Sequence, residues 1–239
     1  MDTMQALKKL EGHPTFNVDT VAGILGKDVS YAKVYVNRLK KRGIIHQLQR
    51  NVYTVQDDPL IIASRIIWPS YISLWAALRY HNLTEQTVNK ISIVTTRIKS
   101  RKSISLKNTT IVFERVQPLT FFGFSKIRIK DFELFMAEPE KALIDAVLLK
   151  RISVVEVYSL LNINRKTLSS EKLIDYVLRT QNKALAKRFG WMLSSLHYPS
   201  AHKLKEDTYK TLIPLDYSRP VSDIKDKKWG IIVNIGRTG

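Results

Sequence analysis

The stretch NRLKKRGIIHQLQRNVYTV, Asn37 to Val55, decides the fold that we predict for the start of this chain. Its first six residues are typical of a helix end rich in Lys and Arg, and Gly43 is a typical C-terminal stop. The residues from Ile44 to Val55 predict two short strands whose connecting turn holds Arg50 and Asn51, and Asn can adopt the positive φ that such a turn requires. A helix followed by a basic hairpin indicates a winged helix.

Three helices are predicted before the hairpin, over Thr3–Leu10, Asn17–Leu25 and Ser30–Arg42. The first residue of the second and third helices is the expected N-cap, and Gly26 is the expected end of the second helix. In the third helix, apolar residues recur at helical spacing and predict one buried face, formed by Ala32, Tyr35, Val36 and Leu39. The opposite face of this helix is then exposed.

The exposed helix face and the basic turn together meet the needs of a winged helix that reads DNA. Short polar side chains on a recognition helix reach base edges, and a cation at the hairpin tip reaches phosphate or the minor groove. The residues that we expect to contact duplex DNA are Ser30, Tyr31, Lys33, Val34, Asn37, Lys41, Arg50 and Asn51. Winged helices also serve as protein-interaction modules, and residues 1–58 carry only nine Lys or Arg against six Asp or Glu.

Most of the net charge lies after the predicted winged helix. The chain has a formal net charge of +18, of which residues 1–58 contribute +3 and residues 59–239 contribute +15. Such an excess favours nucleic acid or acidic partners. No acidic residue lies between Gln86 and Phe113, and this stretch contains a basic patch of Arg97, Lys99, Arg101, Lys102 and Lys107. The patch is predicted to bind phosphates or an acidic protein, or else to be a solvated loop that protects a strand edge from aggregation.

Residues 59–239 predict a larger domain of mixed helix and sheet, so the whole chain is assigned to the α+β class. The sequence QDDPL marks the boundary between the two domains. An apolar helix to about Ile67 and a second helix, capped by Ser70 and ending near Asn82, are expected on either side of Pro69. Strands are expected over Lys90–Thr96, Thr110–Val116 and Lys126–Ala137, helices in EPEKALIDAVLLK and over Val154–Leu161, Glu171–Thr180 and Lys183–Leu196, and a terminal strand in KKWGIIVNIG.

Composition and spacing disfavour several kinds of active site. The chain has no cysteine, which excludes disulfides, thiolate metal sites and cysteine nucleophiles. Its five His show no metal-binding spacing, and neither a phosphate-binding Gly loop nor a Gly-x-Ser-x-Gly elbow is present. Glu138, Glu140, Lys141 and Asp145 lie close together, but acids early in a helix are expected from the helix dipole alone. We therefore expect no catalytic residues, no metal and no cofactor.

The sequence predicts a cytoplasmic protein without a membrane partner. Its N-terminal residues lack the apolar segment of a signal peptide. The most apolar stretch, LIIASRIIWPSYISLWAAL, is interrupted by Arg65 and Pro69. It falls short of the roughly 18 unbroken apolar residues that a membrane span requires.

Motifs spread over most of the chain make it resemble the AbiEi antitoxin family of type IV toxin-antitoxin systems, whose members are described as transcriptional regulators of viral defence. The likeness rests on RLKKRGIIHQLQRNVYTV, DPLIIASRIIWPSYISLWAALRYHNLTEQ, FFGF, EPEKALIDAVLL, IPLD and KWGIIVN, in the family's order. The part PSYISLWAALRYHNLTEQ is the most specific of them. Asn51 stands where the family usually has Gly in the wing, a position that Asn tolerates sterically.

The resemblance implies a winged helix that binds inverted repeats in the promoter of its own operon and represses it, as a monomer in solution or a dimer on DNA. The rest of the chain would counter a nucleotidyltransferase toxin encoded beside it, and the basic patch would be at least partly separate from the DNA-binding residues. Two alternatives remain open: a stand-alone winged-helix regulator, and an enzyme of nucleic-acid or phosphoryl chemistry in residues 59–239. The enzyme requires at least two acids that converge in a pocket with a lysine.

Overall fold

The structure, a computed structural model, describes residues 2–87, 89–99, 101–205 and 211–235. Its first helices are α1 (Thr3–Glu11), α2 (Val18–Leu25) and α3 (Val29–Lys41). All three lie within one residue of their predicted limits, because their apolar positions recur at helical spacing. The buried residues of α3 are Ala32, Tyr35, Val36 and Leu39, which confirms the predicted packing face.

Capping residues fix the ends of α2 and the start of α3. The side chain of Asn17 accepts a hydrogen bond from a first-turn N–H of α2 at 2.8 Å, and Gly26 ends that helix with a φ of 63°, so both predictions are confirmed. The N-cap of α3 is Asp28, whose carboxylate accepts a first-turn N–H at 2.8 Å. The prediction that Ser30 caps this helix was therefore wrong. A carboxylate also interacts favourably with the helix dipole, which a neutral hydroxyl does not.

The predicted hairpin is present as β1 (His46–Gln49) and β2 (Val52–Thr54), which pair antiparallel. Asn51 in the turn has a φ of 57°, the positive value that the sequence predicted for it. Tyr53 in β2 exchanges two backbone hydrogen bonds with Phe16, at 2.8 and 2.9 Å. The hairpin is therefore attached to the residues just before α2.

A mixed sheet of six strands has the order β5-β6-β4-β3-β8-β7. Its strands are β3 (Ser70–Ser73), β4 (Lys90–Thr95), β5 (Ser103–Leu106), β6 (Thr109–Arg115), β7 (Phe124–Ile129) and β8 (Phe132–Ala137). The pairs β4–β6 and β3–β8 are parallel, whereas β5–β6 is antiparallel. The chain thus has a mixed helix and sheet fold, which confirms the predicted α+β class.

Two predictions around this sheet were wrong. Helix α4 (Pro59–Ala63) ends well before Ile67, and Ser70 begins strand β3 instead of capping a helix, so α5 (Leu74–Tyr80) starts later than predicted. All four residues of β3 are buried, so this strand lacks the alternation that distinguishes a strand from a buried helix in a sequence. Strand β5 lies within the stretch that contains the basic patch.

Helices make up most of the later part of the chain: α6 (Pro139–Leu148), α7 (Val154–Ile163), α8 (Ser170–Arg179) and α9 (Lys183–Ser195). Pro139 occupies the first turn of α6, where a missing backbone N–H has no cost. The predicted terminal strand is the two-residue β11 (Ile231–Ile232), which pairs with β9 (Ile213–Pro214) and β10 (Lys225–Asp226).

The chain divides into two compact units. The first comprises Met1–Ile72, Val88–Arg115 and Lys126–Met136, and the second comprises Ser73–Thr87, Val116–Ser125 and Ala137–Gly239. Helices α1 to α3, the hairpin and strands β4 to β6 therefore share one unit, while the domain boundary after residue 58 stays a prediction. Within the described ranges, no helix has the length and apolarity needed to cross a membrane.

Candidate nucleic-acid interface

A surface cavity of about 420 Å³ lies at the exposed face of α3. It is lined by Val34, Asn37, Arg38, Lys41 and Arg42. Val34 is 60% exposed although it is apolar. The predicted members of this face are Val34, Asn37 and Lys41. Arg38 and Arg42 were not predicted, although each follows another member by four residues, the spacing that places side chains on one face of a helix.

The other predicted residues of α3 lie at its N-terminal end. Ser30, Tyr31 and Lys33 are all exposed, and half of the Tyr31 surface is open to solvent. Residues near the start of a recognition helix are the ones that contact base edges in helix-turn-helix proteins. Every predicted DNA-contacting residue of α3 is therefore accessible to a ligand.

Side-chain hydrogen bonds join the hairpin to the helices. Asn51 in the turn accepts the Val18 N–H on its Oδ1 at 3.1 Å, and Lys40 Nζ on α3 donates to Gln47 Oε1 on β1 at 3.0 Å. Arg50 at the tip is exposed. The structure therefore gives Asn51 a positioning role in the turn, while Arg50 is presented outward.

The basic patch reaches the hairpin through Lys99. Its Nζ donates a hydrogen bond to Gln49 Oε1 at 3.0 Å and lies 4.0 Å from the centre of the Phe113 ring. Gln49, Arg50, Lys99 and Arg101 together line a cavity of about 250 Å³. The structure thus brings Lys99 and Arg101 to the hairpin tip, beside the predicted DNA-contacting residue Arg50.

Positive charge is crowded at this cavity. Burial lowers the pKa of Lys99 below its ordinary value, and repulsion by the nearby Arg101 lowers it further. A bound anion would favour the charged form of Lys99 and would offset both effects. The cavity is therefore suited to a negatively charged group.

The other members of the basic patch are arranged differently. Among the described residues, Arg97, Lys102 and Lys107 are outside the lining of this cavity, and all three are exposed. Lys107 forms an ion pair with Asp57 at 2.6 Å, and its hydrogen bond lowers the pKa of Asp57. The sequence therefore identified the basic patch, but it did not show which of its cations act together.

The acids of α6 face separate partners. Asp145 forms a fully buried ion pair with Lys141 and accepts a hydrogen bond from the Ser73 hydroxyl at 2.8 Å. Glu140 accepts the Ser169 N–H at 2.8 Å. In the part of the chain that the structure describes, no group of three or more His, Asp or Glu could hold a metal ion. Asp145 and Glu140 each have hydrogen-bond partners within the fold.

The third acid, Glu138, stabilises contacts between the start of α6 and α8. It accepts hydrogen bonds from Lys172 Nζ at 2.9 Å and from the Tyr176 hydroxyl at 2.7 Å. Burial alone would raise the pKa of Glu138, but these two hydrogen bonds outweigh burial and hold the pKa below its ordinary value of 4.5. The hydrogen bond with Glu138 raises the pKa of Lys172 in turn.

Glu138→Gln is expected to lower the free energy of unfolding at neutral pH. Because the folded-state pKa of Glu138 is lowered, the carboxylate stabilises the fold above its unfolded pKa, and this contribution is lost as the pH falls through the folded-state pKa. The difference between wild type and variant should therefore shrink below pH 4.5. Urea unfolding at about pH 7 and about pH 3 measures it, with Glu85→Gln as an exposed control. An equal difference at both pH values would contradict the expected role.

No protein-family model matches the chain, and no curated protein matches it.

Proposed function

We propose that this protein is a sequence-specific DNA-binding transcriptional regulator that uses its N-terminal region as a winged helix. The observation that carries the proposal is the exposed face of α3, where Asn37 lies among Arg38, Lys41 and Arg42. Asn forms bidentate hydrogen bonds to adenine in the major groove, while Lys and Arg neutralise the flanking phosphates. One face of one helix therefore combines base reading with backbone binding.

The connections around α3 support the same proposal. Only Gly26, Lys27 and Asp28 separate α2 from α3, and a short turn containing Gly is typical of the helix-turn-helix motif. The hairpin that follows α3 presents Arg50 outward. A cation in that position would contact the DNA backbone and fix the register of the helix in the groove.

We also propose, from the resemblance to the AbiEi family, that the protein represses its own operon and acts as an antitoxin against a nucleotidyltransferase toxin. The antitoxin role would belong to the residues after the predicted winged helix. Co-expression with a nucleotidyltransferase encoded beside the gene tests it. Growth that is not restored by the wild-type protein at matched expression would leave the stand-alone regulator as the function.

Asn37→Ala is expected to reduce the discrimination between operator and random duplex by about 1–3 kcal/mol, since one bidentate base contact is lost. Arg50→Gln should instead weaken binding to both duplexes by a similar factor, because a phosphate contact carries no sequence information. Fluorescence anisotropy with the DNA that precedes the gene, and with a scrambled duplex of the same composition, measures both effects.

Lys9→Gln provides the matched control for the Arg50 variant. It removes one exposed cation from α1, a different helix of the same region, and should change either affinity little. Equal affinity of the wild-type protein for operator and scrambled DNA would refute the proposed sequence-specific function.

A further inference from the structure

We infer that the cavity lined by Gln49, Arg50, Lys99 and Arg101 binds one phosphate group of the DNA backbone. This inference rests on the proposed function and extends the DNA-binding surface beyond the predicted winged helix. Arg50 comes from the hairpin turn, whereas Lys99 and Arg101 lie about fifty residues later, between strands β4 and β5. Two separate parts of the chain therefore supply the cations of a single site.

The lining of the cavity has the chemistry of an anion site. Among the described residues of the lining, three of the four side chains are cationic and none is acidic. The fourth, Gln49, accepts a hydrogen bond from Lys99 Nζ, which leaves the ammonium group with two further N–H donors. Guanidinium groups pair with phosphate oxygens through two parallel hydrogen bonds. A tetrahedral phosphate would therefore find donors from both Arg side chains and from Lys99.

Lys99 also positions the hairpin. Its ammonium contacts both Gln49 on β1 and the ring of Phe113 on β6, so one side chain connects the hairpin with the sheet. Since Lys99 is partly buried, the hydrogen bond to Gln49 is less screened by solvent than an exposed one. The arrangement holds Arg50 beside Arg101 before any ligand arrives.

Backbone phosphate fits this site better than an acidic protein surface does. The cavity includes the hairpin tip itself, and the Lys40–Gln47 hydrogen bond connects that hairpin with α3. A DNA duplex bound by α3 would bring its phosphates to the neighbouring hairpin. Binding of an acidic protein at the cavity would not explain why the cavity lies next to the exposed face of α3. Lys99 and Arg101 then act with the recognition helix.

The full-length double variant Lys99→Gln, Arg101→Gln tests the inference. Its affinity for the operator duplex should fall, and the slope of log K against log[salt] should become shallower by about 1, since one phosphate contact is lost. The ratio of operator to scrambled affinity should stay unchanged, because the site reads no base. Anisotropy titrations across a series of salt concentrations give all three quantities.

The control is Arg97→Gln with Lys102→Gln, which removes two exposed cations of the same patch outside the cavity. Equal changes in the salt slope for both double variants would show that only the summed charge matters and would overturn the site. An unchanged slope in the cavity variant would overturn it as well. If the cavity variant instead fails to neutralise a cognate toxin while its DNA slope stays at the wild-type value, the site belongs to an acidic protein partner and the inference is wrong.

Titration calorimetry with inorganic phosphate shows whether the cavity binds free phosphate or a phosphate of the DNA backbone. It also distinguishes failure of the anion site from failure of the proposed DNA-binding function. Weak binding of free phosphate that the cavity variant loses supports the anion site even if operator preference is absent, in which case the proposed function fails alone. Tight binding of free phosphate together with a wild-type DNA slope in the cavity variant would identify a small-anion site and overturn the DNA contact.

Discussion

Asp145→Ala is expected to lower the free energy of unfolding by about 3–5 kcal/mol, because the variant removes the carboxylate that pairs with the buried Lys141 ammonium. Both side chains are fully buried one turn apart on α6. Water therefore cannot hydrate the Lys141 ammonium in place of the lost carboxylate. The Ser73 hydroxyl would also lose the carboxylate oxygen that accepts its hydrogen bond. Since typical domains are stable by about 5–15 kcal/mol, this loss is a large share of the total. Urea unfolding followed by tryptophan fluorescence measures it.

A double variant separates the cost of a broken pair from the value of the intact pair. Lys141→Met with Asp145→Leu removes both charges and should recover most of the stability, since apolar residues of similar size often replace buried ion pairs without loss. The exposed pair Lys126–Glu133, at 2.9 Å, provides the matched comparison, because solvent screens such pairs. If Asp145→Ala destabilises the protein no more than Glu133→Ala does, the buried pair lacks the role that we assign to it.

Gly190→Ala is expected to destabilise the protein by about 1–3 kcal/mol, although alanine favours helices. Gly190 lies within α9, and a Cβ there would overlap the six-membered ring of Trp229. Trp229 is 2% exposed, so its ring has little space into which it could move. Absence of a side chain at this position therefore allows the tryptophan to pack directly against the helix backbone. Thermal unfolding monitored by circular dichroism measures the loss.

Gly23→Ala is the control for the effect of helix propensity. Gly23 lies in α2, and a Cβ there would meet no atom within 4 Å. This variant should gain about 0.5–1 kcal/mol, since alanine loses less backbone entropy than glycine on folding. A raised melting temperature for Gly190→Ala, equal to that of Gly23→Ala, would mean that the contact with Trp229 does not constrain the helix.

The sequence by itself determined the local structure of the N-terminal region. Asn17, Gly26 and Asn51 have the caps and positive φ values that their residue types predicted. The buried face of α3 follows from apolar spacing alone, and the exposed face with Asn37 and Lys41 follows as its complement. These features depend on residues within about one helical turn of each other, and short-range sterics and hydrogen bonds are encoded in adjacent residues.

Only the tertiary structure decided which distant residues act together. Ser70–Ser73 is a strand because it pairs with β8, more than sixty residues later, and a strand buried on both faces has no periodic pattern. The cavity joins Arg50 to Lys99 and Arg101, and the buried Asp145 has the Ser73 hydroxyl as a partner 72 positions away. Residue type and local spacing fix which side chains can carry a charge. Strand pairing and burial fix which charged side chains lie close together. Both depend on contacts between residues that are far apart in the chain.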